Sequence, residues 1–345
     1  MSPVGQQENR VRATFPTPWW MGGRDLSRQW CRMNEFDDEV LERLVRRHLP
    51  DAPGIGFESI RTGKFNKSFF VQAGEQDLVL RIAPSQDAVL LFYERDMMRQ
   101  EPQIHQLLRD QTSVPMASIL AYDDSHSEVP HHFMIMERLP GVPLTEAPGA
   151  PMDSVLHKVG EHLAQAHAQE AEHYGYIGAH RPMPPQPSWT DAFVMMWRKL
   201  VEDIAGVGFY DQDEQRFVLD LLDRYISVFE RPVPSRLLHM DIWHQNILVD
   251  PDSGAVTGIV DWDRALWGDT EIEFAVLDYC GISEPAFWEG YGSTRDASDE
   301  ARVRQLFYLA YEVQKYIVIQ AGRFGDRASA GQYKAQSLAM LRQLA

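Results

Sequence analysis

From His239 to Asp263 the chain reads HMDIWHQNILVDPDSGAVTGIVDWD, and four polar side chains, His239, Asp241, Asn246 and Asp261, fall within that stretch. Ile247–Val249 is an apolar run of strand type, Asp250-Pro251-Asp252-Ser253-Gly254 is dense in turn formers, and Val256–Val260 is a second β-rich run. Strand, turn, strand is the pattern of a hairpin, whose open ends lie side by side. Asn246 precedes the first strand and Asp261 follows the second, so the spacing predicts that they meet, with Asp241 on the loop leading into the same spot. Oxygen donors converging there suit Mg2+, which takes one or two carboxylates and completes its shell with phosphate oxygens and water. One carboxylate is left to face an incoming hydroxyl, which is the equipment for moving a phosphoryl group. Any one of these residues alone reads as well as a turn cap or a strand end. All four, each of the required type at the required interval, do not.

The interval is H-x-D-x-x-x-x-N followed by a metal-binding Asp, the catalytic-loop logic of kinases. On that pattern Asp241 orients the acceptor hydroxyl and takes its proton as the phosphoryl group moves, in a reaction carried mainly by positioning and charge stabilisation. Asn246 and Asp261 hold Mg2+ against the phosphates, and His239 braces the loop by hydrogen bonding.

Composition bounds the rest. At 345 residues, with a 44% apolar share, the chain has length for two domains or one bilobal unit with a large core. No apolar run approaches the ~18 residues of a membrane span, and the first residues lack the zones of a signal peptide. Two cysteines, Cys31 and Cys280, make neither a disulfide framework nor a metal spacing, which fits a reducing cytoplasm. The net charge of −17 argues against nucleic acid as a partner. Residues 1–140 hold 20 acidic and 16 basic side chains, whereas residues 141–345 hold 30 and 17. The acidic second half could draw in a cationic substrate; solubility explains the same excess.

Along the chain, residues 1–35 read as an extension in which Pro16, Pro18, Gly22 and Gly23 break helices while Phe15, Trp19, Trp20 and Trp30 are apolar enough to pack on the body. Asp37–Leu49 has helical spacing. Strand-like runs follow at Phe57–Arg61, Phe69–Gln72, Leu78–Ile82, Ile119–Tyr122 and Phe133–Met136, interrupted by helical spacing at Tyr93–Leu108. Five strands and one helix predict a small, mostly antiparallel sheet. Beyond Pro140-Gly141 the pattern turns helical, at Val155–His167, Trp189–Ile204, Glu214–Phe229, Ile272–Tyr279 and Val303–Ala321. The expectation is an α+β, bilobal, kinase-like fold. It has an N-terminal extension (1–35), an N-terminal nucleotide-binding lobe (36–139) and a C-terminal catalytic and substrate-binding lobe (140–345).

From Asp37 to Phe287 the sequence resembles the aminoglycoside phosphotransferase and choline kinase-like family of small-molecule kinases. LLHMDIWHQNILV looks like its catalytic loop, and IVDWDRALWGDTEIEFA like its metal-binding segment. LVLRIAP looks like the third strand, FMIMERLPGVPL like the connection between lobes and VGEHLAQAHA like the first large helix of the second lobe. The resemblance implies an ATP or GTP donor, Mg2+, and phosphate contacts from the turn holding Gly63, Asn66 and Ser68, where glycine permits close backbone approach. It places Arg81 on the phosphates and in an ion pair with Glu101, with Glu94 as a competing carboxylate, and further nucleotide contacts at Glu137 and Leu139. Arg81 stands where protein kinases have lysine, so reach and donor geometry differ. Asp263, Asp269 and Glu273 are read as braces or acceptor contacts. The chain has no G-x-G-x-x-G, D-F-G or A-P-E, which counts against a protein acceptor.

His162, His167 and His173 lack zinc spacing and read as surface or core residues. Asp191, Glu202 and Asp203 share one helix that could reach a cationic acceptor. The favoured function is a cytoplasmic, nucleotide- and Mg2+-dependent kinase for a hydroxyl of a small, cationic molecule such as an aminoglycoside, hence a possible antibiotic-resistance role. The alternatives are a metabolic kinase for choline, an amino sugar or a related metabolite, and a nucleotide-binding pseudokinase working through a partner.

Overall fold

The computed structural model describes residues 36–62, 65–85, 88–178 and 180–345. The expected extension and Gly63 lie outside the described residues. The first helix, α1 (Asp38–His48), starts where the Asp37 side chain accepts the Val40 N–H.

Strands β1 (Ile55–Ile60), β2 (Lys67–Ala73), β3 (Gln76–Ile82), β4 (Ile119–Asp123) and β5 (Phe133–Glu137) form one antiparallel sheet in the order β1-β2-β3-β5-β4. Every expected strand is there, each end displaced by no more than two residues. Alternation on β3 does the positioning. Leu78, Leu80 and Ile82 pack with Leu41, Leu44 and Val45 of α1 and with Phe133 and Ile135. Val79 and Arg81 therefore point to the opposite face, where Met98, Met134 and Met136 cluster.

The helix expected over Tyr93–Leu108 is shorter and later. Asp96 takes a left-handed backbone (φ 57°), Met97–Gln100 forms a 3-10 turn, and α2 spans Glu101–Gln111. Pro102 is the reason. It lacks the N–H that an interior helical residue must donate and is tolerated only in a first turn.

The C-terminal region is mainly helical: α3 (Met152–His167), α4 (Trp189–Gly206), α5 (Gln212–Arg224), α6 (Thr270–Cys280), α7 (Pro285–Tyr291), α8 (Asp299–Val318) and α9 (Arg327–Leu341). The segment expected as Glu214–Phe229 ends at Arg224 and is followed by a 3-10 turn at Ile226–Val228. Helices α7 and α9 were not anticipated; α9 buries only Ala330, Ser337, Leu338 and Leu341, too thin a stripe to read. Helix α8 runs on into a π-helical turn, Ile319–Arg323. Trp197, Phe193, Phe229, Phe307 and Tyr308 centre a large core that also takes in Leu91, Met97, Ile104 and Leu108. No described helix is long and apolar enough to cross a membrane.

Two small sheets frame the segment from His239 to Ala265. Short strands β6 (Val142–Pro143), β7 (Glu170–Ala171) and β8 (Gly175–Tyr176) precede β9 (Ser235–Leu238), the hairpin β10 (Ile247–Val249) and β11 (Val256–Ile259), and β12 (Leu266–Gly268). Leu238 pairs with Leu266, so β9 and β12 pin the base of the excursion. Strand β6 pairs with β10, tying the chain just after Pro140 to the hairpin. The approach requires Gly141: it sits at φ 97°, and a Cβ there would lie 2.5 Å from Val249 O and from Thr257 Oγ1.

Candidate active site

The loop after β9 is held from below by one buried carboxylate. Glu273, on α6, accepts the His239 N–H at 3.0–3.1 Å and the Met240 N–H at 2.7 Å, and His167 Nε2 lies 2.8 Å away. Burial would push the Glu273 carboxyl up, but His167, His239 and the Met240 N–H outweigh it and hold it below its ordinary range. Met240 has φ 67°, a left-handed conformation rare for a side chain of its size, which turns Asp241 away from the core. His239 is buried; its Nδ1 accepts the Asp241 N–H at 3.2 Å and its Nε2 donates to Val260 O at 3.0 Å. Those two bonds require the neutral ring, and burial lowers its pKa accordingly.

Asn246 closes the 3-10 turn before β10, and its Nδ2 donates to Asp241 O at 2.9 Å and lies 3.3 Å from Asp241 Oδ2. The hairpin turn is built on Asp250, whose Oδ1 accepts the Ser253 N–H and hydroxyl at 2.7 and 2.8 Å. Register Ile247↔Ile259, with Val260 N–H donating to Asn246 O at 3.0 Å, brings the open ends together. Asp261 then takes a left-handed turn (φ 69°). Asp241, Asn246 and Asp261 all line one cavity of about 350 Å3.

Arg81 enters from β3, with Nη1 2.6 Å from Glu101 Oε2 and Nη2 2.6 Å from Asp261 Oδ1 and 3.3 Å from Asp263 Oδ2. Burial works against its charge, but those three carboxylates outweigh it and raise its pKa. Asp263 also accepts Asn66 Nδ2 at 3.2 Å, which puts it on the Arg81 side of the cavity. Burial first, then Asp261 and Glu101, push its carboxyl well above the usual range.

Three acidic groups crowd one guanidinium, the neighbouring carboxylates add to the burial that lifts Asp263, and Asn66 Oδ1 is buried without a donor. That is an environment suited to a cation. Among the described residues no three His, Cys, Asp or Glu side chains form a metal-holding group. One carboxylate from Asp261 and one amide oxygen from Asn246 are instead the sparse protein share expected of Mg2+ bound jointly with phosphates. The residues fit the ion.

Three charged groups at Asp241 were not singled out from sequence. Arg264 Nη1 lies 2.7 Å from Asp241 Oδ1, with its Nη2 3.2 Å from buried Glu312; Lys315 Nζ lies 2.6 Å from Glu312 and 3.8 Å from Asp241. Burial would raise the Asp241 pKa, but Arg264 and Lys315 lower it and keep the carboxylate ionised. The signal for Arg264 was its place three residues after Asp261; Glu312 and Lys315 gave none, being charged residues in a helix.

Asn66, Ser68, Arg81, Glu137, Leu139 and Asp263 line the same cavity as Asp241. Glu101 reaches it through Arg81, and Glu94 is committed elsewhere, to Arg323 at 2.6 Å. Asp269 caps α6 and accepts from Arg231 at 2.5 Å, so it braces the helix carrying Glu273. Asp191 accepts the hydroxyl of the helix-capping Ser188 at 2.7 Å, and Asp203 accepts the Phe92 N–H at 2.7 Å. Neither they nor Glu202 line the cavity.

The family model of the phosphotransferase enzyme family matches residues 56–306, spanning both the sheet and the loop with Asp241. The chain belongs to that family. It is a phosphotransferase, a small-molecule kinase of the same group. Among curated relatives, a "probable ketoamine kinase" of Vibrio vulnificus is 25% identical over 278 residues, 77% of this chain and 87% of the relative. Hygromycin-B 4-O-kinase of Escherichia coli is 26% identical over 156 residues, 41% of this chain and 42% of that enzyme. The phosphotransferase also shares its fold with a crystallised thermostable aminoglycoside phosphotransferase variant in ternary complex with ADP and hygromycin B. That match has a TM-score of 0.63 and 19% identity, covering 88% of this chain and 98% of the other.

Proposed function

We propose that this phosphotransferase moves the γ-phosphoryl group of ATP or GTP to a hydroxyl of a small polar molecule, with residues 36–139 binding nucleotide and residues 140–345 supplying the catalytic groups and the acceptor site. The observation that carries the reading is the convergence of Asp241, Asn246, Asp261 and Arg81 on one cavity. The nucleotide-bound structural neighbour and the kinase names of the relatives support it.

Asp241 receives the acceptor hydroxyl and takes its proton as the new O–P bond forms and the bond to the nucleotide's β-phosphate oxygen breaks. Arg264 and Lys315 keep that carboxylate ionised and fix its rotamer. Asn246 and Asp261 would hold Mg2+, which supplies charge neutralisation on the phosphates. Arg81, anchored by Glu101, offers its forked donors to the phosphates. The roles of Asn66, Ser68, Glu137 and Leu139 are nucleotide contacts.

For the acceptor, the acidic second half and the hygromycin kinase favour a cationic molecule such as an aminoglycoside. The ketoamine kinase names favour a metabolic acceptor of the sugar-amine type. The test is acceptor-dependent release of ADP or GDP by purified protein with Mg2+. Asp241→Ala lowers the rate by about 100-fold or more with an unchanged melting profile. Nucleotide binding without transfer to any acceptor would instead make the protein a pseudokinase.

A further inference from the structure

Beyond Asp241 the cavity is walled by α8 and the π-helical turn that continues it. Lys315, Tyr316, Ile319, Gln320, Arg323 and Phe324 all line it, one face of a continuous helix. A π turn re-aims the side chains that follow it, and such turns concentrate at functional sites.

Among the described residues, five carboxylates line the cavity, and each already faces a cation. Asp241 has Arg264 at 2.7 Å, and Glu94 has Arg323 at 2.6 Å. Asp261 and Asp263 share Arg81 at 2.6 and 3.3 Å, and Glu137 has Arg109 at 4.0 Å. A polyamine entering beside Asp241 meets occupied carboxylates and, next to them, Arg264, Lys315 and Arg323. Displacing a buried partner of Asp241 would strand that partner's charge.

The cavity here is also lined by three tyrosines, Tyr93, Tyr279 and Tyr316, and the wall itself carries one polar atom without a partner. The Arg264 guanidinium sits 5.6 Å from the Tyr93 ring centroid, and Lys315 Nζ 4.9 Å from that of Tyr316, whose ring is 5.7 Å from Tyr279. The tyrosines are therefore beside the catalytic carboxylate. Gln320 is only 5% exposed, lines the cavity, and its Oε1 has no donor. A buried acceptor oxygen of this kind is costly to leave unmet, and an incoming O–H satisfies it.

Resting on the kinase reading above, we infer that the acceptor is an uncharged polyhydroxy compound with an apolar ring face, a sugar or glycoside in place of a polyamine. Its ring packs on the tyrosines and one of its hydroxyls donates to Gln320 Oε1, with a second hydroxyl presented to Asp241.

The test is a turnover panel on the full chain with nucleotide and Mg2+, comparing 4-nitrophenyl and alkyl glycosides with hygromycin B and kanamycin, at about 50 mM and about 500 mM salt. The expected result is at least tenfold higher kcat/KM for neutral glycosides, with an acceptor KM that does not respond to salt. Gln320→Leu then raises the glycoside KM about tenfold, more than it changes the nucleotide KM, and Gln320→Glu, which keeps an acceptor oxygen, recovers part of it. Preference for the aminoglycosides, with a KM that climbs with salt, overturns the neutral acceptor and leaves the kinase intact. Failure of every neutral glycoside also overturns it, and absence of nucleotide binding as well overturns the kinase reading itself.

Discussion

The Glu273 carboxylate accepts the Met240 N–H at 2.7 Å, directly beneath the left-handed residue that turns Asp241 into the cavity. A single side chain thus supports the backbone of the catalytic loop. Glu273→Gln replaces one acceptor oxygen with an NH2 that faces N–H donors, and Glu273→Ala leaves them unmet. Either change should cost about 3 kcal/mol in denaturant melts, with the rate falling further than folded population explains.

Arg264 should behave as a positioning residue. Arg264→Met removes the 2.7 Å partner of Asp241 and leaves Glu312 with Lys315 alone. A drop in kcat of about 100-fold, with the acidic limb of the pH–rate profile displaced upward, is expected. Arg264→Lys should recover part of both. A change in stability without a moved pH limb would reduce Arg264 to packing.

Arg81 and Glu101 should fail together. Glu101→Gln frees the guanidinium at 2.6 Å from its anchor, so nucleotide KM should rise by about tenfold, and Arg81→Met by more. Because one acts through the other, the double variant should be little worse than Arg81→Met alone. Additive losses would mean that Glu101 does separate work.

Removing Mg2+ with a chelator should abolish transfer. Asp261→Asn should raise the Mg2+ concentration needed for half-maximal rate, measured at saturating nucleotide, because it removes the one anionic donor of the two that the protein supplies.

Asp203 gives the pH test of stability. Burial raises its carboxyl to about 6, against the Phe92 N–H that would lower it. A carboxyl raised on folding contributes stability that is fully present below its unfolded pKa near 3.8 and lost as pH rises through about 6. Asp203→Asn keeps an acceptor for Phe92 and cannot ionise. Its melting temperature should therefore gain on the natural protein's between about pH 4 and about pH 7; a constant offset would assign Asp203 no titration in that window.

Much of this was legible in the sequence, and the exceptions have physical causes. Alternation on β3 sorts Leu80 from Arg81 because strand period is strict, and the hairpin is set by Asp250 and the residues after it. The pattern from Tyr93 to Leu108 misled because apolar spacing outvoted Pro102. Lys315 and Gln320 were invisible for a different reason: no local rule announces a π turn, and a charged or amide residue within a helix normally faces water.

The π turn is also latched to distant chain: Arg323 grips both oxygens of Glu94, and Gly322 packs so closely that a Cβ would lie 2.4 Å from Val89. Ribosomal synthesis delivers residues 319–324 last among all that surround the cavity. A nascent or prematurely terminated protein ending before Ile319 would carry Asp241, Asn246 and Asp261 in full and still be missing the partition that meets the acceptor. A stop codon anywhere before Ile319 should therefore be as damaging as one in the loop that carries Asp241.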